Sequence, residues 1–121
     1  MDTRDHVDGP LTLHVHENGN VIEITWRGRS VAREPGQFIL PILTKALDAA
    51  EHLGKKITID FRQVEYLNSS TITPLIRILE QAKRGKAAVM VRYNSALNWQ
   101  SLSFSALYLF QTADGRIKIQ G

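Results

Sequence analysis

From residue 11 onward, apolar and polar positions alternate: Leu11, Leu13 and Val15 stand against Thr12, His14 and His16. This is the period of a half-buried strand. The segment Glu17-Asn18-Gly19-Asn20 supplies an Asn-Gly turn signal, and Ile22, Ile24 and Trp26 then resume the alternation, so a hairpin with one apolar face is predicted. Residues 29–37 read as a loop. Over residues 37–53 the period changes: Ile39, Ile42, Leu43, Ala46, Leu47, Ala50 and Leu53 follow the spacing of one helix face, and Gly54 stands where a left-handed cap belongs. A short strand, Lys56-Ile-Thr-Ile-Asp-Phe61, precedes a second helical pattern with Ile72, Leu75, Ile76 and Leu79 on one face. Lys83 and Arg84 fall in its last turn and Gly85 follows.

Residues 87–93 are almost continuously apolar, as expected of a strand buried on both faces. A third helix is predicted over residues 95–110, with Trp99, Leu102, Ala106, Leu109 and Phe110 as its core stripe; Phe104 and Tyr108 fall off that stripe. Those two are candidates to join Phe38 or Leu40 in a patch facing a partner. A short strand closes the chain. Strands alternating with helices imply parallel pairing through right-handed crossovers. The prediction is therefore one α/β domain over residues 11–121. It has a mixed, mostly parallel sheet, an N-terminal antiparallel hairpin and three helices, with one face of the sheet partly uncovered. Residues 1–10, with four charges, a glycine and a proline, read as a flexible tail.

Composition narrows the function classes. A chain of 121 residues holds one core. No apolar run approaches the roughly 20 residues of a membrane span, and the polar N-terminus lacks the apolar stretch of a signal peptide. The absence of cysteine removes disulfides and thiolate metal sites and points to a cytoplasmic bacterial protein. The net charge is +3, but the basic residues cluster only at Arg27-Gly-Arg29 and Lys83-Arg-Gly-Lys86, short of the basic face that nucleic-acid binding requires.

The chemistry concentrates in Tyr66-Leu-Asn-Ser-Ser-Thr-Ile-Thr-Pro74, which carries hydroxyls at Ser69, Ser70, Thr71 and Thr73. Pro74 is tolerated only in the first turn of the helix that follows. The N-cap is therefore expected at Ser70, Thr71 or Thr73, with Ser69 just outside the helix. Ser69 and Ser70 would then lie beside free amides and the positive end of the helix dipole, a setting that suits phosphate. Capping alone is the competing reading, because Ser and Thr are favoured N-caps in any protein.

The stretch from Ile57 to Leu79 resembles the signature of STAS domains, the fold of bacterial anti-sigma-factor antagonists. That pattern is an apolar strand ending in Asp, then an apolar pair, Asp-Ser-Ser/Thr-Gly and an apolar helix. Asp60 matches the strand-end Asp, Tyr66-Leu67 the pair, and Ser69 the serine that is phosphorylated in the antagonists. Asn68 replaces the usual Asp and Thr71 the usual Gly, which is closer to a SiaC-like subgroup whose phosphorylation state controls binding to a diguanylate cyclase.

The resemblance implies a non-catalytic, phosphorylation-gated partner-switching protein without cofactors. Ser69 would be the phosphoacceptor, Ser70 and Thr71 secondary sites, and Asp60 and Asn68 supports of the loop, with Asp60 accepting hydrogen bonds from it. Tyr66, Thr73 and Arg77 would lie on the partner-binding surface. The implied partners are a serine/threonine kinase of the anti-sigma-factor kind, a phosphatase and, for the subgroup, a diguanylate cyclase.

Other chemistries have weaker support. His14 and His16 share one side of a strand but have no third ligand at metal-site spacing. Asp60 and Glu65 do not define an acid/base pair. The hydroxyl cluster lacks the glycines of a nucleophile elbow, and no histidine follows His52. A small basic nucleic-acid-binding module and a STAS-like scaffold without phosphorylation remain as alternatives.

Overall fold

The computed structural model describes residues 2–121. Six strands form one sheet in the order β1-β2-β3-β4-β5-β6. They are β1 (Asp2–Asp8), β2 (Leu11–Asn18), β3 (Val21–Ser30), β4 (Lys56–Leu67), β5 (Val89–Arg92) and β6 (Ile117–Gln120). The first three pair antiparallel, and β3 to β6 pair parallel. Each parallel connection carries a helix: α1 (Gly36–Leu53), α2 (Ile72–Arg84) and α3 (Asn98–Phe104). Strands laid down successively through right-handed crossovers put all three helices on the same face. Burial follows suit: Ile57, Ile59, Val89, Val91, Ile117 and Ile119 are buried, while the residues between them are half-buried or exposed. The expected mixed α/β architecture is present. Strand β5 departs from its expectation, because only its helix side is covered and Met90 and Arg92 are half-exposed.

Residues 2–8, expected as a flexible tail, instead form the edge strand β1, paired along its whole length with β2. Gly9 takes a positive φ of 57° in the turn between them, as Gly19 does at 57° in the next turn. The strand escaped the periodicity reading because Val7 is its only apolar residue after Met1. Charged, polar edges are a common protection against edge-to-edge pairing. Gly28, at a φ of 89°, is required where β3 crosses Pro10, since a Cβ there would lie 2.0 Å from the Pro10 carbonyl oxygen.

Strand β4 runs well beyond the Phe61 at which the sequence pattern ended it. Its buried residues step by two (Ile57, Ile59, Phe61) and then by three (Val64, Leu67). Two register shifts against β3 account for the change, since each gives β4 an extra residue and turns the next apolar side chain back to the core.

Helix α1 buries Ile39, Leu43, Ala46, Leu47 and Ala50 and ends on Gly54 at a φ of 68°, as its sequence indicated, whereas Ile42 is only half-buried and Leu53, at the last turn, is exposed. In α2 the buried set is Pro74, Leu75, Ile78, Leu79 and Ala82, with Pro74 in the first turn. The third helix differs most from its prediction. It is α-helical only over Asn98–Phe104 and continues as a 3-10 stretch, Ser105–Phe110. Its inward residues are Gln100, Phe104 and Leu107, whereas Leu102 is 77% and Leu109 81% exposed. Three residues per turn carry Phe104 onto Leu107 and then toward half-buried Phe110. Phe104, proposed for a surface patch, is instead central to the core. Its ring stacks 4.6 Å from Phe61 and 5.6 Å from Tyr93, and Phe61 in turn lies 4.7 Å from Trp26.

Candidate functional site

The connection leaving β4 is fixed before the helix begins. At Leu67 the strand still pairs with Ser30, and the next amide, Asn68 N–H, donates to the Ser30 carbonyl at 3.0 Å. A 3-10 turn, Ser69–Thr71, then leads into α2 at Ile72. The cap of this turn is Asn68, not one of the hydroxyl residues. Its Oδ1 accepts from the Thr71 amide at 3.2 Å and from the Thr71 hydroxyl at 2.7 Å, and its Nδ2 donates to the Ala32 carbonyl at 2.8 Å. Since the single Thr71 proton goes to Asn68, the Ser30 hydroxyl is the donor in its 2.7 Å bond to Thr71 Oγ1.

This network divides the hydroxyls into two kinds. Thr71 is 0% exposed and Ser30 1% exposed, and their bonds satisfy polar groups that would be costly to bury alone. Thr71 is therefore a structural residue, which corrects its reading as a secondary phosphoacceptor: a kinase could not reach its Oγ without dismantling the loop. Ser69 and Ser70 are both exposed. Ser69 lies just outside α2, as expected, where it is the first residue of the 3-10 turn and its carbonyl accepts the Ile72 amide. The N-cap position of α2 is Thr71, one of the three residues expected from Pro74, although its side chain makes no capping hydrogen bond to the helix.

Ser70, Thr73 and Arg77 share one side of the turn and helix, by their three- and four-residue spacing. They form one wall of an open groove of about 560 Å³ whose other wall includes Arg33 from the connection before α1 and Gln37 and Leu40 from the start of α1. Thr73 and Arg77 are exposed. Tyr66 is 44% exposed but lies apart from this groove, with the Arg29 guanidinium 5.7 Å from its ring centre.

Asp60 does not support the loop. It sits seven positions before Leu67 on β4 and is held by Arg62, which donates to it from its backbone amide at 2.9 Å, from Nε at 3.0 Å and from Nη2 at 2.7 Å. Partial burial raises the carboxyl pKa, but the Arg62 hydrogen bonds and the charges of Arg62 and Arg92 outweigh it, and the net shift is downward. The residues that do support the loop, Ser30 and the Ala32 carbonyl, lie on β3 and just beyond it. Ser30 and Thr71 are 41 residues apart, and no local pattern links them. Gln100 was also missed: its Nε2 donates to the carbonyls of Phe61 and Val64 at 3.0 and 3.1 Å, and its Oε1 accepts from the Asn94 amide at 2.8 Å. It thus fastens α3 to the irregular part of β4. Nothing in the local sequence, Trp99-Gln100-Ser101, marked it as buried.

The remaining candidates are not brought together. His14 pairs with Asp5, and His16 Nδ1 lies 2.8 Å from the Thr3 hydroxyl. Among the described residues, no group of three or more potential ligands could hold a metal ion. The two basic clusters lie at opposite ends of the molecule, Arg27 and Arg29 toward the C-terminal end of β3 and Lys83 to Lys86 at the far end of α2. Among the described residues, no helix is long and apolar enough to cross a membrane.

No protein-family model matches the sequence, and no curated protein sequence matches it. The structure is similar to the crystal structure of an anti-sigma factor antagonist from Mycobacterium paratuberculosis, with a TM-score of 0.56, 18% identity, and coverage of 88% of this chain and 90% of that one. At this identity the likeness is one of fold. The chain has the STAS-type fold of that antagonist: a mixed sheet with an antiparallel start and helices on its parallel part.

Proposed function

We propose that this protein is a non-catalytic partner-switching module, gated by phosphorylation of Ser69 with Ser70 as the secondary acceptor. The observation that carries the reading is the sorting of hydroxyls at the start of α2. Asn68, Thr71 and Ser30 hold the turn in one conformation, while Ser69 and Ser70 project exposed from it. A kinase requires an accessible hydroxyl, and a docking partner benefits from a preordered surface. Phosphate on Ser69 adds about −1.5 to −2 charges beside the first amides of the turn and the positive end of α2, which steadies the modified form. The same charge and bulk must be desolvated or displaced by any partner that covers the turn, so the unmodified form binds and the modified form is released.

The fold shared with an anti-sigma factor antagonist supports a protein partner of the anti-sigma-factor kind, with a kinase and a phosphatase acting on the same loop. The Asn-containing loop adds a diguanylate cyclase as the partner class implied by the SiaC-like pattern. The exposed side chains of Thr73 and Arg77, with the α1 wall of the groove, would form the docking surface beside Ser69 and Ser70. Calorimetric titration against the kinase or anti-sigma-type protein encoded beside the gene tests the reading. Ser69→Ala should bind at least as well as the unmodified protein, and Ser69→Asp at least tenfold more weakly. Equal affinity of the two variants would refute the gating.

A further inference from the structure

Helix α1 packs over β3 and β4, so the helix-side face of β1 and β2 extends beyond it. Along that border lies an open cleft of about 400 Å³, within the roughly 300–1,000 Å³ range of small-molecule sites. The sheet is its floor, with Val15 from β2 and Ile22 from β3. Its wall is one stripe of α1, formed by Pro41, Ile42, Ala46 and Ala49, at the steps that share a helix face. Ile42 is half-buried because it borders the core on one side and the cleft on the other. Four side chains with polar ends complete the lining: Arg4 and His6 from β1, Glu17 from β2 and Lys45 from α1. Arg4 pairs in register with Val15, which puts both on the cleft side of the sheet. Glu17 is already neutralised by Lys55, whose Nζ donates to it at 2.8 Å. Among the described residues, neither Arg4 nor Lys45 forms an ion pair. An apolar interior is thus joined to two exposed cations without a counter-charge.

We propose that this cleft binds a small amphipathic carboxylate, of the medium-chain fatty acid class. Charge complementarity selects the head group. Arg4 comes from the strand side and Lys45 from the helix side of the same cleft. A carboxylate at its mouth accepts charge-assisted hydrogen bonds from the guanidinium and the ammonium, and the His6 ring adds a further donor. A cationic ligand would meet like charges there, since the Glu17 carboxylate is engaged by Lys55. The interior selects the tail. An alkyl chain laid against Val15, Ile22, Ile42 and Ala46 removes from water the apolar surface that α1 leaves uncovered. Size selects a small molecule over a protein segment: ten residues line the cleft, whereas a stable protein interface engages roughly 20–30 on each side. Ser69, Thr73 and Arg77 lie outside it, so this site does not depend on the phosphorylation reading.

A heteronuclear NMR titration of the full chain with octanoate tests this, with octanol and octyltrimethylammonium as neutral and cationic probes of the same chain length. Octanoate should bind with a dissociation constant below about 1 mM. The amides it shifts should cluster at Arg4, Val15, Ile42, Ala46 and Ala49. Octanol should bind at least fivefold more weakly, and octyltrimethylammonium should shift none of these amides. Arg4→Gln combined with Lys45→Gln should bring octanoate down to the affinity of octanol and leave octanol unchanged. Salt should weaken octanoate alone. Ala49→Trp fills the cleft and should abolish binding of both probes, whereas Leu102→Ser, at a residue 77% exposed and outside the cleft, should change nothing. Should circular dichroism show that Ala49→Trp does not fold, the charge variants and the map of shifted amides decide. Equal affinity for octanoate and octanol would overturn the anion site. Shifts centred on Ser70, Thr73 and Arg77, or no saturable shift at all, would overturn the cleft assignment. A second copy seated in the cleft would give twice the 13.6 kDa mass in sedimentation without octanoate, and would overturn it too.

Discussion

Two connections leave the same end of the sheet, one from β4 into α2 and one from β5 into α3, and both are rich in serine. In the first, hydrogen bonds decide which side chains face inward. Asn68 and Thr71 are drawn to Ser30 and Ala32, and Ser69 and Ser70 are left outside. In the second, helix geometry decides. The change to a 3-10 stretch after Phe104 brings Leu107 under the sheet and leaves Leu102 and Leu109 in solvent. One connection therefore presents hydroxyls on a fixed turn and the other presents an apolar ridge. Similar composition yields different surfaces because hydrogen bonds sort the side chains in one connection and helix geometry sorts them in the other.

The contrast can be broken at its core. Phe104→Ala removes a ring packed against Phe61 and Tyr93 and should cost about 3–5 kcal/mol in urea denaturation. Leu102→Ala, on the neighbouring turn and 77% exposed, should stay within about 0.5 kcal/mol. A large loss from Leu102→Ala would mean that the stripe read from the sequence is buried after all.

A smaller effect sharpens the other side. Thr71→Val keeps the shape of the side chain but leaves the Ser30 hydroxyl and Asn68 Oδ1 each short of a partner, and should cost about 1–3 kcal/mol. Asn68→Ala removes the cap and should cost about 1 kcal/mol. Ser69→Ala should be neutral to within about 0.5 kcal/mol, since its side chain is exposed. Similar losses at Ser69 and Thr71 in chemical denaturation would erase the distinction between structural and exposed hydroxyls.

The smallest expected effect concerns Asp60, whose folded pKa lies below its ordinary value through Arg62. A carboxyl with a depressed folded pKa adds stability above its unfolded pKa and loses it as the pH falls through the folded one. Asp60→Asn should therefore destabilise the protein near neutral pH by less than about 1 kcal/mol, because Arg62 is half in solvent. The difference between the variant and the parent should shrink as the pH drops below about 4. A difference independent of pH would assign the effect to packing instead.

The fold was legible wherever one face of an element is buried. The β2–β3 hairpin, α1 with its Gly54 cap and the first turn of α2 at Pro74 all followed from periodicity and turn chemistry. Strand β1 did not, because an edge strand without an apolar face leaves no period to read, although Gly9-Pro10 marked its turn. The bulges in β4 hid in the change of spacing from Phe61 to Val64 to Leu67, which reads as an exit from the sheet when strands are assumed regular. In α3 the apolar stripe was split, with Trp99 and Phe110 packed against the core and Leu102, Ala106 and Leu109 facing outward, since a sequence pattern identifies a face without saying what covers it. At the site, the exposed hydroxyls of Ser69 and Ser70 were anticipated. The partnership of Asn68, Thr71 and Ser30 was not, because it joins segments that only the β3–β4 pairing brings together.

The most direct test is phosphosite mapping by mass spectrometry on the protein co-expressed with its neighbouring genes. The expected result is phosphate on Ser69, with any minor fraction on Ser70 and none on Thr71. Phosphate on Thr71, or an unmodified loop in the presence of an active cognate kinase, would contradict the proposed gate.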